Sequence, residues 1–320
     1  METPLTEHIH PDPDQPPLDI DAYCKVGGYE ALHQALGMTS EDIISQVEEA
    51  HLRGRGGAGF PTGRKWSFIP KGPGVVHPKY LVVNADEMEP TTFKDRVLLE
   101  GNPHQLIEGI VIAACAVQAD IGYVFLRQSY RRAERRLRRA MAEAYREGWL
   151  GHNIKGSGFS FELHLHASAG RYICGEETAQ ISALEGRRPV PRPKPPFPPV
   201  AGLWGKPTVV DNVETLCNVP HILRKGPAWY RGLSRCGDGG TKIYGASGRV
   251  KHPGAWELPM GTPLREIFED RAGGMVEGYR FRGGGCVLRR HCAPQSNFDE
   301  ARHRCRRPYT AARRRRSTCA

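Results

Sequence analysis

Ile43, Ile44 and Val47 fall on one helical face directly behind Thr39-Ser40-Glu41-Asp42, a hydroxyl cap followed by first-turn acids. This spacing predicts a helix that stops before Gly54, preceded by a shorter one over residues 28–36. Residues 80–83 form a β-rich apolar run, and 105–117 have the length and small-residue content of a helix. A second strand is expected at 123–125, then a basic helix at 129–147 whose arginines lie mainly on its exposed faces. Alternation over 159–166 predicts a third strand, and 176–184 a further helix. Strands alternating with helices at this spacing predict an α/β layered domain.

Eight prolines between Pro189 and Pro207 oppose helix and central strand alike, so that segment is expected to be an extended, stiffened loop. Val209 and Val210 then lead into a helix from residue 212 to about 223. From residue 242 the pattern changes to short strands at 242–250 and 255–258, a Pro-Met-Gly-Thr turn and a helix over 264–271. Strand, turn, strand and helix open a small α+β module of β-grasp type. Beyond Arg282 neither a two-residue nor a 3.6-residue period survives.

The chain has 320 residues, 39% hydrophobic and 25% charged, a globular composition with room for one large or two to three ordinary domains. Its longest apolar stretch, 106–117, contains Glu108 and is shorter than the roughly 20 residues that cross a bilayer, so no direct membrane insertion is expected. Residues 1–20 begin Pro-rich and are expected to be flexible; they carry five acids and no lysine or arginine, unlike a signal peptide. The net charge of +10 suggests a nucleic-acid or acidic-surface binder until it is located. Residues 280–320 hold 12 arginines against Asp299 and Glu300, so the entire excess lies there and residues 1–279 are neutral. With few aromatics beside those arginines, specific nucleic-acid binding is not expected. Cys24, Cys115, Cys174, Cys217 and Cys236 lie in the body and Cys286, Cys292, Cys305 and Cys319 in the tail, an odd and widely spaced set that favours reduced cytosolic thiols.

Gly54-Arg55-Gly56-Gly57-Ala58-Gly59-Phe60-Pro61-Thr62-Gly63-Arg64-Lys65 packs five glycines into ten residues, a backbone able to approach a phosphate or an aromatic ring closely. Gly54, Gly56 and Gly59 fit G-x-G-x-x-G, but they follow a helix rather than a strand, which disfavours an ordinary Rossmann fingerprint. A flexible linker is the competing reading, although Phe60, Trp66 and Phe68 are unusual in one. Asn84-Ala85-Asp86-Glu87-Met88-Glu89 sits at the carboxyl end of a strand, where open α/β sheets place ligands; its carboxylates suit ribose hydroxyls or a carboxamide better than phosphates, and the alternative is a solvated acidic turn. Tyr172-Ile173-Cys174-Gly175-Glu176-Glu177 joins a turn to an acidic helix start whose free amides suit negative charge on a reduced flavin. Lys194 and Phe197 lie on the proline rail, suited to phosphate pairing and base stacking, or to a proline-rich partner ligand. Asp211-Asn212-Val213-Glu214-Thr215 opens a helix whose amides suit a second phosphate; an ordinary Asp cap is the alternative.

In this order these motifs resemble the family of NADH-oxidising flavoproteins (51 kDa) of respiratory complex I, from about residue 21 to 282. The resemblance is most specific at GRGGAGFPTGRKW, VVNADEMEPTTFKDR, GRYICGEETA, KPPFP and GKPTVVDNVETLCNVP. It implies a Rossmann-like FMN/NADH-binding α/β domain over 39–235 after an N-terminal segment 1–38, then an incomplete β-grasp (SLBB-like) module over 236–282. FMN and NAD(H) are the implied cofactors. The loop Gly54, Arg55, Gly56, Gly57, Ala58, Gly59, Phe60, Pro61, Thr62 and Gly63, with Lys65 and Phe68, would serve both. Asn84, Asp86, Glu87 and Glu89 would surround the isoalloxazine and nicotinamide, and Tyr172, Gly175, Glu176 and Glu177 would face the flavin. Lys194 and Phe197 would meet the nucleotide, and Asp211, Asn212 and Thr215 the FMN phosphate. Glu89 and Glu177 are the implied catalytic pair. Asp211 stands where the family pattern leads one to expect Asn. Implied partners are other peripheral-arm subunits, notably the small [2Fe–2S] subunit and the large iron–sulfur subunit, at the cytoplasmic face of the inner membrane. The diaphorase component of an NAD-linked hydrogenase or formate dehydrogenase shares these motifs.

The family also carries a [4Fe–4S] cluster on a Cys-x-x-Cys-x-x-Cys motif with a distant fourth cysteine. Here the tail cysteines are separated by 5, 12 and 13 residues, which offers no compact cluster site, so no metal ligand is assigned. Loss of lysine, a jump in arginine and the end of periodicity after Arg282 are what a reading-frame shift in GC-rich coding DNA leaves, with residues 283–320 an aberrant, disordered tail. Resequencing around codon 282 is expected to show the shift; an intact frame with native protein of 35.6 kDa would refute it.

Overall fold

The computed structural model describes residues 2–72 and 74–278. A four-stranded parallel sheet forms its centre: β1 (Tyr80–Ala85), β2 (Ile121–Leu126), β3 (Glu162–Ala167) and β4 (Thr208–Asn212), in the order β3-β2-β1-β4. This is the α/β layered architecture that the pattern of elements predicts, with the Rossmann-like parallel sheet that the family resemblance implies. Residues 80–83 are buried on both faces, and this is why β1 reads as an unbroken apolar run rather than an alternating one. Leu81, Val83 and Ala85 join the larger core, while Tyr80 and Val82 pack on the other face with Phe125, Ile181, Leu203 and Val210.

The larger core is built around α6 (Pro103–Val117), buried along nearly its whole length. Asn102 caps it by accepting a hydrogen bond from Gln105 N. α10 (Val213–Lys225) crosses so close that a Cβ on Gly109 would lie 2.1 Å from the Leu216 carbonyl oxygen. α7 (Arg131–Arg146) buries Ala133, Leu137, Ala140, Met141 and Ala144 at helical spacing, so its arginines face outward as expected. α3 (Ser40–Glu49) has the predicted Thr39 cap, whose hydroxyl accepts from Asp42 N.

Several departures have local causes. Residues 2–20 are not a free arm: Leu5 is buried, and Arg132 and Arg136 hold the Pro13 carbonyl. Its few apolar residues find sites on the body that the local sequence does not reveal. Two short helices, α1 (Ile20–Lys25) and α2 (Glu30–Leu36), then pack on α6, where buried Glu108 accepts from Tyr23 Oη at 2.6 Å and Leu32 N at 3.1 Å. The proline segment contains a helical turn, Pro198–Ala201, because prolines at the first helical positions forfeit no hydrogen bond. Its Lys194–Pro195 and Pro195–Pro196 bonds are cis. α4 (Thr62–Trp66), α5 (Lys94–Gly101), α8 (Glu177–Leu184), α9 (Pro198–Ala201) and α11 (Pro227–Gly232) complete the α-helices among the described residues before the hairpin.

Beyond them, β5 (Thr241–Ala246) and β6 (Gly254–Pro259) form an antiparallel hairpin, followed by a π-type helix at Glu266–Arg271. Buried Glu257 on β6 accepts from Leu5 N, Thr6 N and the Thr241 hydroxyl, tying the hairpin to the amino-terminal segment. The predicted tail, residues 283–320, lies outside the described residues.

Gly109→Ala is expected to destabilise the protein by about 3 kcal/mol, since backbone rather than a flexible side chain would have to move. Urea unfolding of the two proteins measures it; an unchanged midpoint would show that α6 and α10 separate easily.

Candidate active site

Parallel pairing of β1 with β4 sets Asn84 beside Asn212, so the carboxyl ends of both strands open at one edge of the sheet. The glycine loop is seated there. Gly54 N bonds the Phe60 carbonyl at 2.9 Å and Thr62 N bonds that of Leu52 at 2.9 Å, closing the loop on itself rather than leaving a linker. Gly57 and Gly59 lie at φ 113° and 65°, the left-handed region that favours glycine. Gly56 faces Asn212, and Arg55 N donates to the Thr215 hydroxyl at 2.8 Å, fixing the loop to the start of α10.

Not every loop side chain is available to a ligand. The buried Arg55 guanidinium bonds the carbonyls of Gly239 and Thr241 at 2.9 and 3.0 Å, so it bolts the loop to the hairpin module. Gly63 lets α4 press on α3, where a Cβ would sit 2.8 Å from Glu48 N. Thr62 Oγ1, by contrast, is buried and unpartnered. Phe60 and Phe68 stand 6.1 Å apart and, with Tyr172 and Phe197, are 43–56% exposed, which is costly for aromatic rings with nothing against them.

The three acids after β1 have three different environments, not one solvated turn. Asp86 is buried and accepts from the Ser168 hydroxyl at 2.8 Å, leaving Oδ2 unpartnered. Burial raises its pKa. Glu87 is also buried and caps α5 from outside, accepting from Asp95 N, Arg96 N and Tyr130 Oη at 3.1, 3.3 and 3.1 Å. Burial, and then the neighbouring Asp95 charge, push it up to about 7. Only Glu89 reaches the surface, where it accepts from Tyr172 Oη.

Asn84 Nδ2 donates to the Gly175 carbonyl at 3.1 Å and so brings the turn before α8 to the same edge. Glu176 caps α8, accepting from Thr178 N and Ala179 N at 2.9 Å each. Those two amides are therefore filled by the chain's own carboxylate rather than free for an anion. Glu177 is half-buried and ion-paired with Lys194, which also lies 3.6 Å from Glu176.

Asp211 is buried and neutralised. Its carboxylate accepts from Trp66 Nε1 at 2.7 Å and pairs with Lys65 at 3.2 Å, so it does not present an uncompensated charge to a phosphate. Asn212, not Asp211, caps α10: its Oδ1 accepts from Glu214 N at 3.1 Å. Beneath these residues lies a cluster that sequence reasoning misses. Lys94 Nζ is 2.6 Å from Asp95 Oδ1 and 2.8 Å from Glu214 Oε2, all three buried, and Asn212 Nδ2 donates to Asp95 Oδ2 at 2.6 Å. Burial alone would lower the Lys94 pKa, but Asp95, Glu214 and Glu87 more than reverse this and hold it charged. Helix α5 has no strong apolar run of its own, and the one sequence signal is a lysine and an aspartate adjacent at its start.

The residues at this edge suit a planar, phosphorylated cofactor: the glycine backbone carries no side chains and four aromatic rings are exposed, while Thr62 Oγ1 and Asp86 Oδ2 are buried polar atoms without a partner. A cluster does not fit the described residues, among which no three His, Cys, Asp or Glu side chains converge as a metal site. The four tail cysteines lie outside them.

A parallel sheet with a closed glycine loop over the ends of two strands defines a nucleotide-binding α/β protein. More narrowly, the chain belongs to the Nuo51 FMN-binding domain family, which matches residues 47–221; an SLBB domain matches residues 245–289. It is 56% identical over 280 residues to the NADH-quinone oxidoreductase F subunit of Salmonella typhimurium, and likewise to that of Escherichia coli, covering 87% of this chain and 62% of each relative. The chain thus spans about 62% of the length of these curated relatives. Among solved structures, an air-oxidised NAD+-reducing [NiFe]-hydrogenase matches with TM-score 0.65 at 37% identity, over 84% of this chain and 44% of that one.

Glu87→Gln is expected to flatten the pH dependence of stability. A carboxyl raised in the folded state keeps a proton that the unfolded chain gives up, so its stabilisation is complete below about pH 4.5 and is lost as pH rises through about 7. Urea midpoints at pH 5 and pH 8 should differ less in the variant, by on the order of 1–3 kcal/mol in unfolding free energy. Equal differences in both proteins would place the ordinary carboxylate there.

Proposed function

We propose that this chain is the NADH-oxidising flavoprotein of a complex of the NADH-quinone oxidoreductase type. The observation that carries the reading is the convergence of the glycine loop, the exposed rings and the Lys194–Glu177 pair at the carboxyl ends of β1 and β4. When bound, FMN supplies the hydride acceptor for NADH and passes the electrons on one at a time. The chain's own groups bind and orient. The loop backbone approaches the cofactor, Phe60 and Phe68 offer stacking faces, and Lys65, still paired with Asp211, turns its remaining N–H donors to phosphate. Glu177 and Glu89 accept hydrogen bonds near the nicotinamide, and Lys194 and Phe197 hold the rest of the dinucleotide.

Partner subunits carrying iron–sulfur centres would take the electrons onward, with the small [2Fe–2S] and large iron–sulfur subunits as the proposed neighbours, in a peripheral arm at the cytoplasmic face of the inner membrane. No described helix is long and apolar enough to cross a membrane. The higher identity to the quinone-linked relatives than to the hydrogenase favours this reading over a hydrogenase diaphorase.

NADH should bleach the flavin band of FMN-reconstituted chain; bound FMN that NADH leaves unbleached would reject the reading. Glu177→Gln should keep FMN but weaken NADH binding by about tenfold, ~1.4 kcal/mol, as an acceptor loses its charge. Lys65→Ala should instead lose FMN on gel filtration.

A further inference from the structure

The proline segment 189–207 carries Lys194 and Phe197, yet Pro191, Pro193, Pro195 and Pro196 have no N–H with which to fasten it. Lys194 does not fasten it either: its pair with Glu177 is about 30% exposed at both ends, and such pairs contribute little. The attachment is made two residues earlier, by Arg192.

Its backbone N–H donates to the Thr178 hydroxyl at 2.8 Å, and that hydroxyl in turn donates to Glu176. The guanidinium forks over three groups: Nε to the Ser182 hydroxyl at 3.0 Å, one terminal nitrogen to Glu185 Oε2 at 2.6 Å, and the other to the Gly202 carbonyl at 3.4 Å. Glu185, only 5% exposed, spends its second oxygen on Trp204 N at 2.8 Å. One residue therefore joins both turns of α8 and its C-cap residue Glu185 to both ends of the loop, a geometry that a planar fork permits and an ammonium does not.

We infer that Arg192 is a positioning residue. It touches none of the groups proposed to meet the dinucleotide, but it fixes the distance between α8, which carries Glu177, and the loop that carries Lys194 and Phe197. Dinucleotide affinity then depends on Arg192 through loop placement, an inference that rests on the functional reading above.

The test compares full-length wild type, Arg192→Ala and Arg192→Lys. Hydrogen exchange at the bonded amides of Val200, Ala201 and Trp204 should quicken at least tenfold in Arg192→Ala while exchange within α6 is unchanged. The Kd for NADH, from its fluorescence, should rise about tenfold with FMN content unaltered, and Arg192→Lys should fall between. If Arg192→Ala does not fold, Glu185→Gln, which keeps an acceptor for Trp204, should show the same two changes at smaller size. Unchanged loop exchange, or faster loop exchange with unchanged Kd, overturns the proposal. Wild type that binds no NADH overturns the functional reading and the affinity claim together, whereas failure confined to the variants leaves that reading standing.

Discussion

Lys94 is a single buried ammonium on which separate stretches of chain converge. It pairs with Asp95 at the head of α5 and with Glu214 at the head of α10, and it lies 3.3 Å from Asn212 Oδ1 at the end of β4. Glu214 passes the connection on by accepting from Ile243 N of β5 at 2.8 Å. Breaking a buried pair by removing one partner costs about 3–5 kcal/mol, because the charge left behind has neither water nor a counter-ion. The spacing between α5, the end of β4 and the hairpin module is therefore held by electrostatics that tolerate little displacement.

That constraint reaches the surface through two short links. Asn212 divides its amide between Asp95 and the first amides of α10, so its side chain is immobilised, and Gly56 rests against it. Thr215, in the first turn of α10, holds Arg55 N, and the Arg55 guanidinium returns to the hairpin. A glycine-rich loop would normally lose much conformational entropy on ordering around a ligand. Here the ordering is already supplied by residues on its far side.

Much of the framework was legible because burial leaves periodic marks. The runs that become β1, β2, α6 and α7 were readable as strands or helices from apolar spacing alone. The site motifs were legible as chemistry, since glycines beside aromatics and carboxylates after a strand are uncommon combinations. What stayed hidden was partnership. Nothing local to NADEME says that Glu87 will cap a helix eight residues on, nor does Asp211 announce Trp66 and Lys65 as its partners across 145 residues. Likewise, α1 and α5 are stabilised by buried polar contacts with α6 and α10 rather than by strong periodicity of their own.

The division of labour among charged groups follows from these burials. Glu87, Lys94, Asp95, Asp211 and Glu214 are withdrawn from water and spent on one another or on backbone amides and the Trp66 indole, so none is free to respond to a ligand's charge. Glu89, Glu177 and Lys194 keep more solvent contact, so the Lys194–Glu177 pair is weak and exchangeable and Glu89 holds only the Tyr172 hydroxyl. The exchangeable contacts at this edge of the sheet therefore sit on a backbone that the buried cluster already holds in place. What the edge can offer is set less by the strength of any one charge than by where the rigid parts hold it.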